Sequence, residues 1–205
     1  EKGRLIPYSL VTSLVAREML EKQPGSHILF DIRYIMTPST IVEENGGTWS
    51  MTKVGHSFIT KQLQDEGGVF GGESSGHMYY DITGGAESQV LTILLVLEAL
   101  TKHNKPFSEV VEDLRRAYES GEFNYKTEKA QEILNDLKNH YADGEISTLD
   151  GIAISYDKWR FNVRTSNTEP LMRLNLEAET RELMEEKLKE VQQFIIQKGA
   201  KPHGH

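Results

Sequence analysis

The feature that most limits what this chain can fold into is the way roughly its first hundred residues alternate between two hydrophobic periods. From Pro7 to Gln23 the apolar residues Leu10, Val11, Leu14, Val15 and Met19 recur at helical spacing, and Pro24-Gly25 closes the run. His27 to Ile32 follows as a short apolar strand. Thr37 as an N-cap, with Pro38 at the first helical position, predicts a helix over Ser39 to Glu44 that Gly46-Gly47 ends. Thr48 to Thr52 alternates as a strand, Ser57 to Gln64 reads as a helix through Phe58, Ile59 and Leu63, and Gly68 to Phe70 reads as a buried strand. Glu87 to His103 carries the strongest helical pattern, with Val90, Leu91, Leu94, Leu95, Leu97 and Leu100 on a wide apolar face. Strands alternating with helices of this length need crossover connections. Residues 1–105 are therefore expected to form a three-layer α/β/α domain around a mainly parallel or mixed sheet covered on both faces. Ligands of such sheets collect at the carboxyl ends of the strands.

The pattern changes around Asn104-Lys105-Pro106. Phe107 to Tyr118 and Glu128 to Tyr141 have helical periodicity, whereas Ile152 to Tyr156, Arg160 to Arg164 and Leu171 to Glu177 alternate as antiparallel strands. A last helix over Thr180 to Lys198 is capped by Thr180 and turns Leu183, Leu188, Val191 and Ile195 inward. Residues 106–205 are thus expected to be a smaller α+β domain with an antiparallel sheet. The tail from Gly199 is expected to be frayed, with His203 and His205 in solvent.

Composition narrows the function classes. The longest aliphatic run, Ile93 to Leu97, has five residues, where a membrane-spanning helix needs about 20, and the start lacks the order of a signal peptide. No cysteine is present, which excludes disulfides, thiolate metal sites and cysteine nucleophiles and fits a cytoplasmic location. A net charge of −8 argues against a nucleic-acid surface and against a membrane partner, so any anion must be held by a local set of donors. Glu1 to Leu5 reads as the tip and second arm of a strand turn whose first arm is missing, and the chain is expected to be a fragment.

Three segments stand out from a folded core. Gly71-Gly72-Glu73-Ser74-Ser75-Gly76-His77 follows a strand; its glycines let backbone approach a ligand, and Glu73, Ser75 and His77 alternate so that an acceptor, a hydroxyl and an imidazole project to one side. That set suits a polyhydroxylated substrate, although a glycine-rich turn with a polar cover has the same composition. Gly72 to Gly76 also fits the G-x-S-x-G elbow of serine hydrolases, but the elbow needs a helix straight after its serine, and His77 to Ile82 reads as extended chain. Lys53-Val54-Gly55-His56-Ser57 joins a strand end to a helix start, where Lys53 and His56 beside free helix amides suit an anionic or polar ligand; solvated surface charge is the alternative. Arg164-Thr165-Ser166-Asn167-Thr168-Glu169-Pro170, with Arg173 beyond it, offers a guanidinium fork, two hydroxyls and an amide in a hairpin. Those groups make a phosphate cradle without a metal, or an ordinary polar turn. No Walker, dinucleotide or H-E-x-x-H pattern occurs.

In this order the glycine loop and the Arg164 loop resemble the α-D-phosphohexomutase superfamily over nearly the whole chain. The first is similar to the G-E-x-S-G-H sugar-recognition loop of its third domain, the second to the R-x-S-N-T-x-P phosphate loop of its fourth. Lys53 to Ser57 is similar to the K-x-G-H-S segment of the phosphomannomutase and phosphoglucomutase branch, and Arg33 stands where that branch carries a basic active-site residue. Glucosamine-phosphate mutases usually have an acidic residue where His56 stands. The resemblance implies an enzyme that interconverts the 1- and 6-phosphates of mannose or glucose through a phosphoserine, a magnesium ion and a hexose 1,6-bisphosphate intermediate. The T-A-S-H-N-P and D-G-D-x-D-R loops of domains one and two are absent from the sequence. The chain is therefore expected to be domains three and four alone, with magnesium ligands and nucleophile in a missing amino-terminal half and no turnover of its own. By the same resemblance Glu73, Ser75, His56, Lys53 and Arg33 contact the sugar, and His77 exchanges a proton with the reacting hydroxyl, since imidazole titrates near neutral pH. Arg164, Ser166, Asn167, Thr168 and Arg173 hold the distal phosphate. Thr83 to Ser88 departs from the family's D-G-G at that point. A stand-alone phosphosugar-binding module without chemistry is the competing expectation.

Overall fold

The computed structural model describes residues 3–166 and 171–204 and divides into two compact units, 1–116 and 117–205. The boundary lies beyond the expected 105/106 because a helix following Pro106 packs its Val110 and Val111 with Leu10, Leu14, Ile41 and Ala99 of the first unit.

In chain order the first unit contains α1 (Tyr8–Lys22), β1 (His27–Asp31), α2 (Met36–Glu44), β2 (Thr48–Thr52), α3 (His56–Glu66), β3 (Phe70–Gly72), β4 (Met78–Tyr80), a 3-10 turn (Asp81–Thr83), α4 (Gln89–His103) and α5 (Phe107–Glu112). Its sheet runs β2-β1-β3-β4. β1 pairs in parallel with β2 and β3, and β4 turns back antiparallel on β3. The period-2 alternation of β1 sends Ile28 and Phe30 to one face, where they meet Val15 and Met19 of α1, Leu95 of α4, and Phe70 and Tyr80. Leu29 points the other way, to Ile59 and Leu63 of α3 and to Tyr79. This is the expected three-layer arrangement, with the polar residues that come after β1, β2 and β3 gathered at one sheet edge.

Several local expectations are corrected. α2 begins at Met36 with no side-chain cap; Pro38 is its third residue, still among the first-turn positions whose N–H has no partner inside the helix, and the Thr37 hydroxyl accepts from the Arg116 N–H at 3.3 Å. α4 buries only Thr92, Leu95 and Ala99, while Val90, Ile93, Leu94 and Leu97 on its outer stripe are exposed. Its N-cap is Ser88, which accepts from the Leu91 N–H and so gives the Thr83–Ser88 stretch a structural role. Residues 3–7 form no strand arm.

The second unit contains β5 (Tyr118–Lys126), α6 (Ala130–His140), β6 (Glu145–Ser147), β7 (Ile152–Ser155), β8 (Trp159–Thr165), β9 (Leu171–Ala178), α7 (Arg181–Gln197) and β10 (Lys201–His203). Its six-stranded antiparallel sheet runs β10-β5-β9-β8-β7-β6. α6 and α7 cover one face with Ile133, Leu137, Val191 and Ile195 over Phe161, Val163, Leu174 and Leu176. The alternate residues of β8 and β9 pair as Arg160 with Glu177, Asn162 with Asn175 and Arg164 with Arg173, so the other face of the sheet is polar. The expected frayed tail instead supplies β10, paired with Asn124 to Lys126. β5, which lies between β10 and β9, begins at Tyr118, where a helix was expected to end. A bulge between Glu119 and Glu122, with Gly121 at φ 80°, breaks the alternation that would have marked it as a strand.

Candidate functional site

β1, β2 and β3 end at Asp31, Thr52 and Gly72; β2 leads into Lys53–Ser57, β3 into the Glu73–His77 turn, and β1 toward Arg33. Gly71 and Gly72 lie inside β3 rather than in a loop, and what they admit is protein: a Cβ at Gly72 would fall 2.4 Å from a Thr12 methyl of α1, and one at Gly71 2.8 Å from Ile59 of α3. Gly76, at φ 95°, closes a tight turn in which its N–H donates to the Glu73 carbonyl and the Glu73 N–H to the His77 carbonyl, both at 2.9 Å.

That turn places Glu73, Ser75 and His77 together. The Glu73 carboxylate is buried at 4% exposure. One oxygen accepts from the Gly55 N–H at 2.8 Å and the other from the Tyr79 hydroxyl at 3.0 Å. Gly55 is the N-cap of α3, so the anion at this helix N-terminus is the protein's own carboxylate, favourably placed against the helix dipole. Burial and then the neighbouring Glu73 charge push the Tyr79 phenol well above its ordinary value. His77 is half exposed; its Nδ1 lies 2.9 Å from the Ser75 hydroxyl and 3.6 Å from Glu73. Nε2 lies on the other side of the ring from these two neighbours.

Lys53 and His56 flank Gly55 and are exposed, with Lys53 Nζ 5.5 Å from the centre of the Phe58 ring. Arg33 is largely buried and donates a fork to Asp31, Nε at 3.1 Å and NH2 at 2.7 Å. Burial alone would raise the Asp31 carboxyl; the Arg33 charge and the hydrogen bonds from Arg33 and Ser74 outweigh it and hold the group below its ordinary value. The Ser74 hydroxyl donates to Asp31 at 3.0 Å. Strand β4 comes after this serine, not the helix a hydrolase elbow needs.

In the second unit Arg164 and Arg173 face each other across β8 and β9. Glu122 of β5 lies between them, its oxygens 3.5 Å from Arg164 NH2 and 3.6 Å from Arg173 NH1. The side chains of Arg164 and Arg173 are 9% and 29% exposed. The Ser166 N–H donates to the Leu171 carbonyl at 2.7 Å, closing the strands above the arginines. Asn167 and Thr168, expected in the phosphate cradle, lie outside the described residues. Among the described residues no group of three or more His, Asp or Glu is placed to hold a metal ion.

The α/β/α domain III model of phosphoglucomutase/phosphomannomutase matches residues 9–118, more than half of the chain. The chain belongs to this family. The family's C-terminal domain model matches residues 122–193. Phosphomannomutase of Methanocaldococcus jannaschii is 34% identical over 200 residues, covering 98% of this chain and 44% of the relative. A phosphomannomutase of Escherichia coli is 40% identical over 171 residues, 82% of this chain and 38% of its own length. The chain thus spans less than half the length of these relatives. The crystal structure of a phosphoglucomutase/phosphomannomutase family protein from Burkholderia thailandensis superposes with a TM-score of 0.83 at 26% identity, over 98% of this chain and 44% of that one.

In this member of the family, the spacing of polar residues and glycines brought out the segments that gather at the strand ends of the first unit, but missed the groups that organise them. Asp31, two residues before Arg33 at a strand end, carried a readable signal in that spacing. Glu122 carried none, because its strand was hidden by the bulge.

Proposed function

We propose that this chain is the recognition half of a phosphohexomutase: an enzyme that interconverts the 1-phosphate and 6-phosphate of mannose or glucose through a hexose 1,6-bisphosphate. The first unit reads the sugar and the second holds the phosphate that is not reacting. One observation carries this reading. The buried Glu73 carboxylate ties the Gly55 amide, which lies between Lys53 and His56 in the chain, to the loop that carries Ser75 and His77, at the carboxyl ends of parallel strands.

The roles rest on the chemistry of the groups. Ser75, Lys53 and His56 offer donors to sugar hydroxyls, and the rigid loop pre-organises them, so little ordering entropy is left to spend on binding. His77 gives or takes the proton of the hydroxyl that loses or gains phosphate; Glu73 and Ser75 fix its Nδ1 side and leave Nε2 to the substrate. Arg164, Arg173 and Ser166, with Asn167 and Thr168, hold the distal phosphate by charge-assisted hydrogen bonds. Phosphoryl transfer depends mainly on positioning and charge stabilisation. The nucleophilic serine and the magnesium site belong in this reading to the amino-terminal domains that the longer relatives have room for, in a cytoplasmic enzyme. The test is an assay of glucose 1-phosphate and mannose 1-phosphate conversion by the 205-residue chain and by a protein that also carries those domains. Turnover is expected only from the longer protein, and conversion by the short chain free of contaminating enzyme contradicts the division of labour.

A further inference from the structure

Asp31 is the last residue of β1, and its carboxylate is completely buried with a side-chain exposure of 0%. Burying a carboxylate is costly unless hydrogen bonds replace its water. Here five do. Oδ1 accepts from the Arg33 N–H at 2.9 Å, Arg33 Nε at 3.1 Å and the Ser74 hydroxyl at 3.0 Å; Oδ2 accepts from Arg33 NH2 at 2.7 Å and the Ser74 N–H at 2.6 Å. Two of these reach across 43 residues of sequence, from β1 to the turn after its neighbour β3. One carboxylate therefore fixes both the guanidinium of Arg33 and the second residue of the 73–77 loop, just beyond the point where the ladder between β1 and β3 ends.

We propose that Asp31 is the positioning residue of the sugar site, setting the orientation of Arg33 and the 73–77 loop together so that both meet one phosphosugar. The proposal deepens the functional reading above and rests on it. Asp31 touches no substrate; it acts through Arg33 and Ser74. A bidentate fork fixes the plane of a guanidinium as well as its place, which is what a site that must accept a sugar in two orientations requires. An ion pair that only held the two loops in the fold would leave ligand affinity unchanged wherever the fold persists.

A double-mutant cycle on the 205-residue chain separates these cases. Glucose 1-phosphate is titrated by NMR into the wild type, Asp31→Asn, Arg33→Ala and the double variant, with the amide shifts of β1 and β2 reporting an intact fold. Asp31→Asn keeps the shape and removes the charge, and its affinity is expected to fall about tenfold or more, as for loss of a charge-assisted contact. In the Arg33→Ala background the same change is expected to cost clearly less than in the wild type, because one of the two groups it acts through is gone while its bonds to Ser74 remain. Equal losses in both backgrounds, or no loss in a folded Asp31→Asn chain, overturn the proposal. If Asp31→Asn does not fold, Ser74→Ala removes one bond to the same carboxylate; an affinity weaker by about two- to fivefold supports the proposal and an unchanged one contradicts it. A wild type that shows no binding at all removes the sugar site itself, and the positioning role with it.

Discussion

The two units hold their charged groups in opposite ways. In the first, Arg33 has Asp31 at hydrogen-bond distance, and the Gly55 amide and Tyr79 hydroxyl have Glu73. In the second, two arginines face each other across adjacent strands and share Glu122 at 3.5 and 3.6 Å. Like charges directly opposite on a sheet destabilise it, and the Glu122 carboxylate between them offsets part of that repulsion. In the reading proposed above, the first arrangement fixes the groups that read hydroxyls, and the second presents two guanidinium groups to a dianion. Substitutions that exchange these characters test the comparison.

The largest effect is expected at Arg164. If Arg164 holds the distal phosphate as proposed, its replacement by alanine in a protein that also carries the amino-terminal domains is expected to remove a charge-assisted contact worth about 1.5–3 kcal/mol, a loss of about 10- to 150-fold in kcat/KM. Arg164→Lys is expected to recover only part of this, because a point charge does not reproduce the planar fork. Full recovery would show that charge alone is read. Glu73→Ala comes next. It leaves the Gly55 N–H and Tyr79 hydroxyl without their acceptor, and urea denaturation should record a loss of about 1–3 kcal/mol. Weaker glucose 1-phosphate binding should accompany it, because the 53–56 segment is no longer tied to the loop.

The pH response of the first unit should be smaller and has a definite sign. The folded-state carboxyl of Asp31 lies below its ordinary value of 3.8, so the unfolded chain takes up the proton first as pH falls. The stability this group contributes is complete above the ordinary value and is lost as pH drops through the lowered one. Urea midpoints measured between about pH 3 and pH 7 should therefore fall on the acid side in the wild type and fall less steeply in Asp31→Asn. The smallest effect is expected at Glu122. Its ion pairs are partly exposed and worth at most about 1 kcal/mol; Glu122→Gln should lower stability slightly and strengthen inorganic phosphate binding about two- to fivefold. Weakened phosphate binding would mean that Glu122 positions the arginines rather than competing for them.

How much of this was legible in the sequence depended on local regularity. The short apolar run of β1 and the helical spacing of α1 and α7 sufficed for the fold class, because no bulge or break interrupts any of the three. β5 escaped because Gly121 and its bulge shift the period halfway along. The outer stripe of α4 was misread for a different reason: apolar spacing marks what can be buried, and nothing in the described structure covers Val90, Ile93 and Leu97. At the site, glycines and alternating polar residues pointed to the loop, but the loop's shape is set by carboxylates from neighbouring strands, and which strands are neighbours is a property of topology, not of spacing.

The central claim, that one unit reads the sugar and the other the charge, is tested most directly by comparing two ligands on the same chain. Inorganic phosphate and glucose 1-phosphate are titrated separately into the 205-residue protein, and backbone amide shifts are tracked at residues 53–56, 73–77 and 164–166. Inorganic phosphate is expected to move Arg164, Thr165 and Ser166 first, whereas glucose 1-phosphate moves these together with the 53–56 and 73–77 amides. Glucose 1-phosphate at saturation shifting 73–77 while 164–166 stays still, or inorganic phosphate shifting both sets equally, contradicts it.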